Sequence, residues 1–220
     1  VTDRALTQRP LEQVVEAAVA EGVDWVQVRE KDLAGRELLE LSERVARAAR
    51  RAARRRMAGA MPVRVVVNRH TDVALALGPG KDRADEGRVD GVHLGFDATR
   101  PADARGLLGP DGWIGLSCHA PAEALAAGES GASYLHLAPV FAPLSKAAQA
   151  PPLGIPALAA VARSGLPVLA QGGIDADNAG AAVAAGAAGV AVTGAILMAS
   201  DPGEAAGALR RALDAAWPGG

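Results

Sequence analysis

The sequence predicts a (β/α)8 TIM barrel, an α/β fold formed as one domain over residues 1–220. Three observations predict it. Eight short apolar runs alternate with helix-patterned segments on short connections, as parallel βα units require. Runs such as VRVVV (63–67) and GVAV (189–192) lack polar alternation, which suits strands buried on both faces. The last two runs end in small-residue turns, Gln171-Gly172-Gly173-Ile174 and Thr193-Gly194-Ala195-Ile196. In a barrel, the loops after the last two strands are the usual seat of a phosphate.

Taken in order, Val1-Thr2-Asp3 reads as the tail of a first strand truncated at its start. Pro10 opens a helix to about Glu21, with Leu11, Val14, Val15, Ala18 and Val19 on one face. Asp24 to Arg29 is the second strand, Leu38 to Met57 a long helix, and Val63 to Val67 the third strand. A helix over Asp72 to Leu77 precedes a strand at Val89–Leu94; a short helix near Ala102–Leu107 precedes one at Trp113–Ser117. Ala122–Ala127 is helical, Tyr134–Ala138 extended, a helix starts near Pro156, and Leu166–Ala170 is the seventh strand. An Ala-rich helix and a final strand then carry the chain to the Thr193-Gly194 turn.

Hydrophobic residues make up 50% and aromatic residues 3%, so the core is expected to consist of Ala, Val, Leu and Ile. A net charge of -2 gives no sign of a nucleic-acid partner. The Arg50–Arg56 run is expected to be the solvated end of a helix, where cations favour the dipole. No run reaches the roughly 20 apolar residues of a membrane span. With a lone Cys118 and no signal peptide, a cytoplasmic location is expected; a homo-oligomer is compatible with the sequence. Two segments break the rhythm: 79–88 is a charged, solvated loop, and 142–154 is expected to be a lid on the catalytic side.

Function in a barrel lies where strands end. The polar residues there are Gln27, Arg29 and Lys31, then Asn68, then Ser117 and His119, then Ser145 and Lys146. Three cations around two backbone cradles, Gly172-Gly173 and Thr193-Gly194, describe a site for a phosphorylated substrate. His119 is the candidate proton-transfer residue, being the one among them that titrates near neutral pH. His93 reads as a core or supporting histidine, His136 as facing the interior, and His70 as capping a loop. Arg29 could also pair with Glu30 or Asp32. A Cys118–His119 catalytic pair is disfavoured, because adjacent strand residues point to opposite faces.

The motifs VTDR, VQVREK (26–31), DGVHLG (90–95), IGLSCH (114–119), APVF…SK (138–146), AQGGI and VAVTGAI together resemble the thiamine-phosphate synthase and TenI-type thiazole tautomerase family. The resemblance runs the length of the chain. It implies a thiamine-pathway enzyme that binds a small thiazole phosphate. Synthases also take a hydroxymethylpyrimidine diphosphate and release pyrophosphate with Mg2+. By this resemblance Gln27, Arg29, Lys31, Asn68, Ser117 and Lys146 match diphosphate and pyrimidine contacts, and Gly172, Gly173, Thr193 and Gly194 match the thiazole-phosphate cradle.

The chain departs from the synthase pattern where metal carboxylates stand. Asn68-Arg69 replaces Asn-Asp, Gly95-Phe96-Asp97-Ala98 replaces Gly-Gln-Glu-Asp, and Pro143 replaces a threonine, leaving Ser145 as a hydroxyl. TenI-type members share the loss of metal carboxylates. The expectation is therefore a metal-independent, TenI-like tautomerase with no cofactor. The alternative is a synthase using Mg2+, and the second alternative a non-catalytic phosphate-binding paralogue.

Overall fold

The computed structural model describes residues 1–56, 61–78, 85–95, 97–142 and 151–217. Seven parallel strands form one sheet in chain order: β1 (Trp25–Val28), β2 (Arg64–Asn68), β3 (Gly91–Leu94), β4 (Trp113–Cys118), β5 (Tyr134–Leu137), β6 (Val168–Gln171) and β7 (Gly189–Ala191). Between and after them run α1 (Leu11–Ala20), α2 (Gly35–Ala53), α3 (Thr71–Leu77), α4 (Pro101–Leu108), α5 (Pro121–Ala126), α6 (Gly154–Val161), α7 (Ala179–Ala184), α8 (Gly194–Leu197) and α9 (Pro202–Ala216). The helix placed over Leu38–Met57 begins three residues earlier and stops at Ala53.

The eighth strand expected at the N-terminus is not formed as a strand. The reason is its hydrogen bonding, which amounts to one bond to each edge of the sheet. The Thr2 N–H donates to the Gln27 carbonyl on β1 at 2.9 Å, and the Val1 nitrogen donates to the Val192 carbonyl just past β7 at 2.8 Å. Arg4–Leu6 then turns as a short 3-10 helix. Thr2 is nearly buried, and its hydroxyl donates to Glu30 Oε1 at 2.6 Å while accepting the Arg29 N–H at 2.9 Å. Glu30 Oε2 accepts from the Arg4 N–H and guanidinium, and that guanidinium reaches on to Asp32. Arg4, and not Arg29, therefore takes these two acids.

Strand parity divides the side chains between two environments. Val26, Val28, Val65, Val67, Val92, Leu94, Ile114, Leu135, Leu137, Val168 and Ala170 pack on the helices as the expected aliphatic core. The other set carries Trp25, Gln27, Arg64, His93, Trp113, Ser117, Tyr134, His136 and Gln171. An all-aliphatic core is thus corrected. Trp25 meets Trp113 and Tyr134 edge-on at 5.0 and 4.6 Å, and the Arg64 guanidinium lies 3.9 Å from the Trp113 ring centre. These bulky groups fit because β4 carries Gly115, where an added Cβ would lie 2.3 Å from both His93 and Tyr134.

The arginine run ends α2 with Arg51, Arg54 and Arg55 exposed, and ion pairs add to that solvated end. Arg50 pairs with Asp90, Arg54 with Glu86, Arg55 with Glu16 and Arg56 with Asp24, fixing the end of α2 to its neighbours. Glu86 belongs to the segment expected as a solvated loop; residues 79–84 of that loop lie outside the described residues. No helix among the described residues is long and apolar enough to cross a membrane.

Replacing Thr2 by Val keeps the side chain's shape and removes its hydroxyl. That leaves the buried Glu30 carboxylate and the Arg29 N–H each short of a partner. Stability in urea unfolding should fall by about 1–3 kcal/mol, and an unchanged midpoint would show the hydroxyl to be dispensable.

Candidate active site

The C-terminal edge of the sheet gathers most of the residues singled out from the sequence. Gln27 faces the interior from β1, is almost fully buried, and its Nε2 has no acceptor among the described residues. A buried amide left without an acceptor costs on the order of 1–3 kcal/mol. Two residues on, the half-buried Arg29 is close enough for its charge to act on His93. Lys31 follows on the same edge and is exposed. Asn68 ends β2 opposite His93 of β3.

His93, read in the sequence as a core or supporting histidine, and His136, read as facing the interior, form the middle of a buried polar network. The two rings lie 4.2 Å apart. His93 reaches Ser117 Oγ through Nε2 at 2.9 Å and the Tyr134 hydroxyl through Nδ1 at 3.1 Å. His136 Nδ1 donates to Gln171 Oε1 at 3.0 Å. Burial, the neighbouring His136 and the Arg29 charge hold the His93 pKa well below its ordinary value. Burial likewise pushes His136 down to about 4, against a smaller upward pull from the Gln171 hydrogen bond. Both rings are neutral near pH 7, so they hold Ser117 and Gln171 in place without adding charge.

His119 lies beyond this network, exposed at the rim. Its Nδ1 donates to the Ala138 carbonyl at 2.8 Å, so Nε2 is the ring nitrogen with a lone pair. Cys118 is buried on the opposite face, as strand parity predicts, and burial pushes its thiol up to about 11. A Cys–His nucleophile is not assembled. His70 occupies the position before α3, yet its side chain makes no capping hydrogen bond; the ring lies 3.5 Å from Asp72 instead.

The two small-residue turns sit side by side. Gln171 on β6 pairs with Ala191 on β7, so Gly172-Gly173 comes beside Val192-Thr193. Gly172 and Gly173 have φ of 91° and 62°. A Cβ on Gly173 would stand 2.1 Å from the Ala142 carbonyl oxygen. The Val140 and Phe141 N–H groups donate to the Gln171 and Gly172 carbonyls, binding the segment after β5 against this turn. A helix follows at once after Thr193, which precedes α8. After Gly173 the expected Ala-rich helix, α7, comes only once Ile174–Asn178 have formed an Asx-type turn. There Asp175 Oδ1 accepts two backbone N–H groups, and Asn178 Nδ2 donates to the Gly173 carbonyl. Ser145 and Lys146, and most of the expected lid, lie outside the described residues.

One contact at this edge involves residues the sequence marks as departures. Arg69 has φ of 65°, a left-handed backbone rare for a side chain of its kind, and its N–H donates to the His93 carbonyl at 2.7 Å. Its guanidinium donates to Asp97 Oδ2 at 2.8 Å across the mouth between β2 and β3. No group of three or more His, Cys, Asp or Glu able to hold a metal occurs among the described residues.

Residues 1–196 match the family model described as thiamine monophosphate synthase. The chain belongs to the thiamine-phosphate synthase family. A relative from Geobacter sulfurreducens is 44% identical over 211 residues, spanning 95% of this chain and 90% of its own. The thiamine-phosphate synthase of Anaeromyxobacter dehalogenans is 40% identical over 201 residues, spanning 90% and 81%. Among solved structures, thiamine phosphate pyrophosphorylase from Pyrococcus furiosus superposes with a TM-score of 0.81 at 29% identity, over 99% of this chain and 95% of that one. The names of these synthase-family relatives favour the coupling reaction over the tautomerase expected from the sequence.

The histidine pair sets a pH dependence in this family member. An unfolded imidazole takes a proton near 6.5, whereas folded His136 resists protonation down to about 4. Only the unfolded state gains protons in that window, so stability present above pH 6.5 is lost as pH falls. By urea unfolding, the His136 contribution between about pH 7 and pH 5 should be a loss of about 2 kcal/mol. His136→Gln should reduce that loss; an equally steep decline in the variant would refute the assignment.

Proposed function

We propose that this protein is a thiamine-phosphate synthase formed as one closed (β/α)8 domain, with Val1-Thr2 in the position of the eighth strand. It would act in the cytoplasm, on a hydroxymethylpyrimidine diphosphate and a thiazole phosphate. The observation that carries this reading is the buried Gln27 amide without an acceptor, beside Arg29, at the same edge as the paired turns. Family membership supplies the reaction that uses such an arrangement. In the coupling, the thiazole nitrogen donates its electron pair to the pyrimidine methylene carbon. The carbon–oxygen bond to the diphosphate breaks, and that pair leaves with pyrophosphate.

Negative charge grows on the departing group while the methylene turns positive. Arg29 and Lys31, with donors from Gln27, Asn68 and Ser117, are the groups assigned to the diphosphate; Lys146 joins them by the family resemblance, and Ser145 as the hydroxyl left beside Pro143. Preorganised donors at the site of growing charge are the largest single source of rate in such reactions. His93 holds Ser117 from below. The backbone at Gly172, Gly173, Thr193 and Gly194 is assigned to the thiazole phosphate, since side-chain-poor turns let N–H groups approach an anion. Synthases of the family are taken to use Mg2+, which needs oxygen ligands. The residues present do not fit it: Asp97 is engaged by a guanidinium, Arg69 itself repels a cation, and no step above passes through a metal.

A second reading is favoured by one observation. His119 presents an Nε2 lone pair at the rim, as a TenI-like tautomerase would need for moving a proton in a thiazole carboxylate phosphate. Coupling requires no such base. Incubation with both coupling substrates should yield thiamine phosphate and pyrophosphate in equal amounts, and Gln27→Ala should lower kcat/KM by about 10–100-fold. His119→Asn should keep coupling within a few-fold. No coupling by the wild type, together with tautomerisation that the Asn variant loses by roughly 10²–10⁴-fold, would replace the first reading with the second.

A further inference from the structure

The pair Arg69–Asp97 occupies the mouth between β2 and β3, and it is weakly held. The two side chains are 49% and 63% exposed, and an exposed pair of this kind contributes about 0–1 kcal/mol. A left-handed backbone at a non-glycine residue costs roughly 1–2 kcal/mol. The ion pair therefore does not offset the conformation that accompanies it. Asp97 takes one of the five N–H donors of the Arg69 fork through a single oxygen, well short of the two parallel bonds a guanidinium can make. A diphosphate carries more charge and more acceptor oxygens than one aspartate, so it would outcompete Asp97 or share the guanidinium with it. Arg29 lies on the neighbouring strand with its charge acting on His93, and the Arg69 N–H is bonded to the His93 carbonyl. The two guanidinium-bearing residues thus sit at the same end of the same three strands.

Resting on the synthase reading above, we propose that Arg69 is a built-in cation for the diphosphate group, which the chain binds and releases without a divalent metal. Asp97 acts as its placeholder, keeping the guanidinium over the mouth between β2 and β3 until the anion arrives. A tethered guanidinium differs from a bound metal ion in that its directional N–H donors hydrogen-bond the leaving oxygens directly, so its effect is insensitive to chelators. The likeness to a metal site is in charge and location only.

The test is calorimetry with inorganic pyrophosphate, in EDTA and in Mg2+, on the wild type and on Arg69→Gly. Glycine suits a φ of 65°, so the variant should melt at or above the wild-type temperature and any loss of binding is not a failure to fold. Wild-type affinity should differ by no more than about threefold between the two conditions, while Arg69→Gly should bind at least about tenfold more weakly in EDTA. Thiazole phosphate, assigned to the turns after β6 and β7, should bind both proteins alike. Wild-type binding that collapses on chelation, or Arg69→Gly binding pyrophosphate like the wild type, overturns the role of Arg69. If thiazole phosphate still binds in that case, the synthase reading survives. If neither ligand binds the wild type in either condition, both fall together.

Discussion

A buried carboxylate organises the molecule. Glu30 stands just past β1 with its side chain almost wholly out of water, and ionised groups in that position cost several kcal/mol unless donors surround them. The Thr2 hydroxyl, the Arg4 N–H and the Arg4 guanidinium are those donors. Satisfying Glu30 brings the N-terminal segment to β1, and from there Val1 reaches the chain just past β7. One acid therefore ties the two edges of the seven-stranded sheet to the same short stretch of chain. The motifs VTDR and VREKD, far apart in sequence, are the two halves of this latch.

The same demand for donors shapes the interior. Polar groups there could not be left alone in an apolar medium, and most are linked: Ser117 to His93, His93 to Tyr134, His136 to Gln171. Gln27 differs from these: its Nε2 lacks an acceptor among the described residues. That amide, two residues before Arg29 and below the strand ends, is the donor that the synthase reading assigns to the diphosphate. Packing sets its direction, because the strand parity that buries Val26 and Val28 against helices turns Gln27 inward.

Much of the architecture was legible because it depends on local pattern. Apolar runs without alternation, VRVVV and GVAV, marked β2 and β7, and the i, i+3, i+4 spacing of Leu11, Val14, Val15, Ala18 and Val19 marked the buried face of α1. What was not legible depends on partners distant in sequence. Nothing in a composition of few aromatics shows that Trp25, Trp113 and Tyr134 converge inside the sheet. The one available sign was Gly115, a glycine in a strand, which marks a close approach of bulky groups. The ion pairs of the arginine run were hidden because its acids, Glu16, Asp24, Glu86 and Asp90, come from several other segments. The Arg69–Asp97 pair was hidden for the same reason: each residue was visible as a departure, but not that they meet.

The glycines of the Gly172-Gly173 turn show why residue type alone underdetermines a site. Read in sequence, they signal a backbone open to an anion. In the structure they meet another demand as well, since a Cβ at Gly172 would lie 2.8 Å from Pro139 and one at Gly173 still closer to Ala142. Close packing of the segment after β5 would require glycine here even without a ligand. The phosphate assignment therefore needs the register of the two turns as well as their glycines. Because Gln171 is paired with Ala191, this turn and the Thr193-Gly194 turn adjoin at the same end of the sheet, as a cradle shared between them would require. The packed segment also leads back to Ala138, whose carbonyl orients His119. A side chain forced onto Gly173 would disturb the turn, the segment and the histidine together, so loss of activity in such a variant could not be assigned to phosphate contact alone.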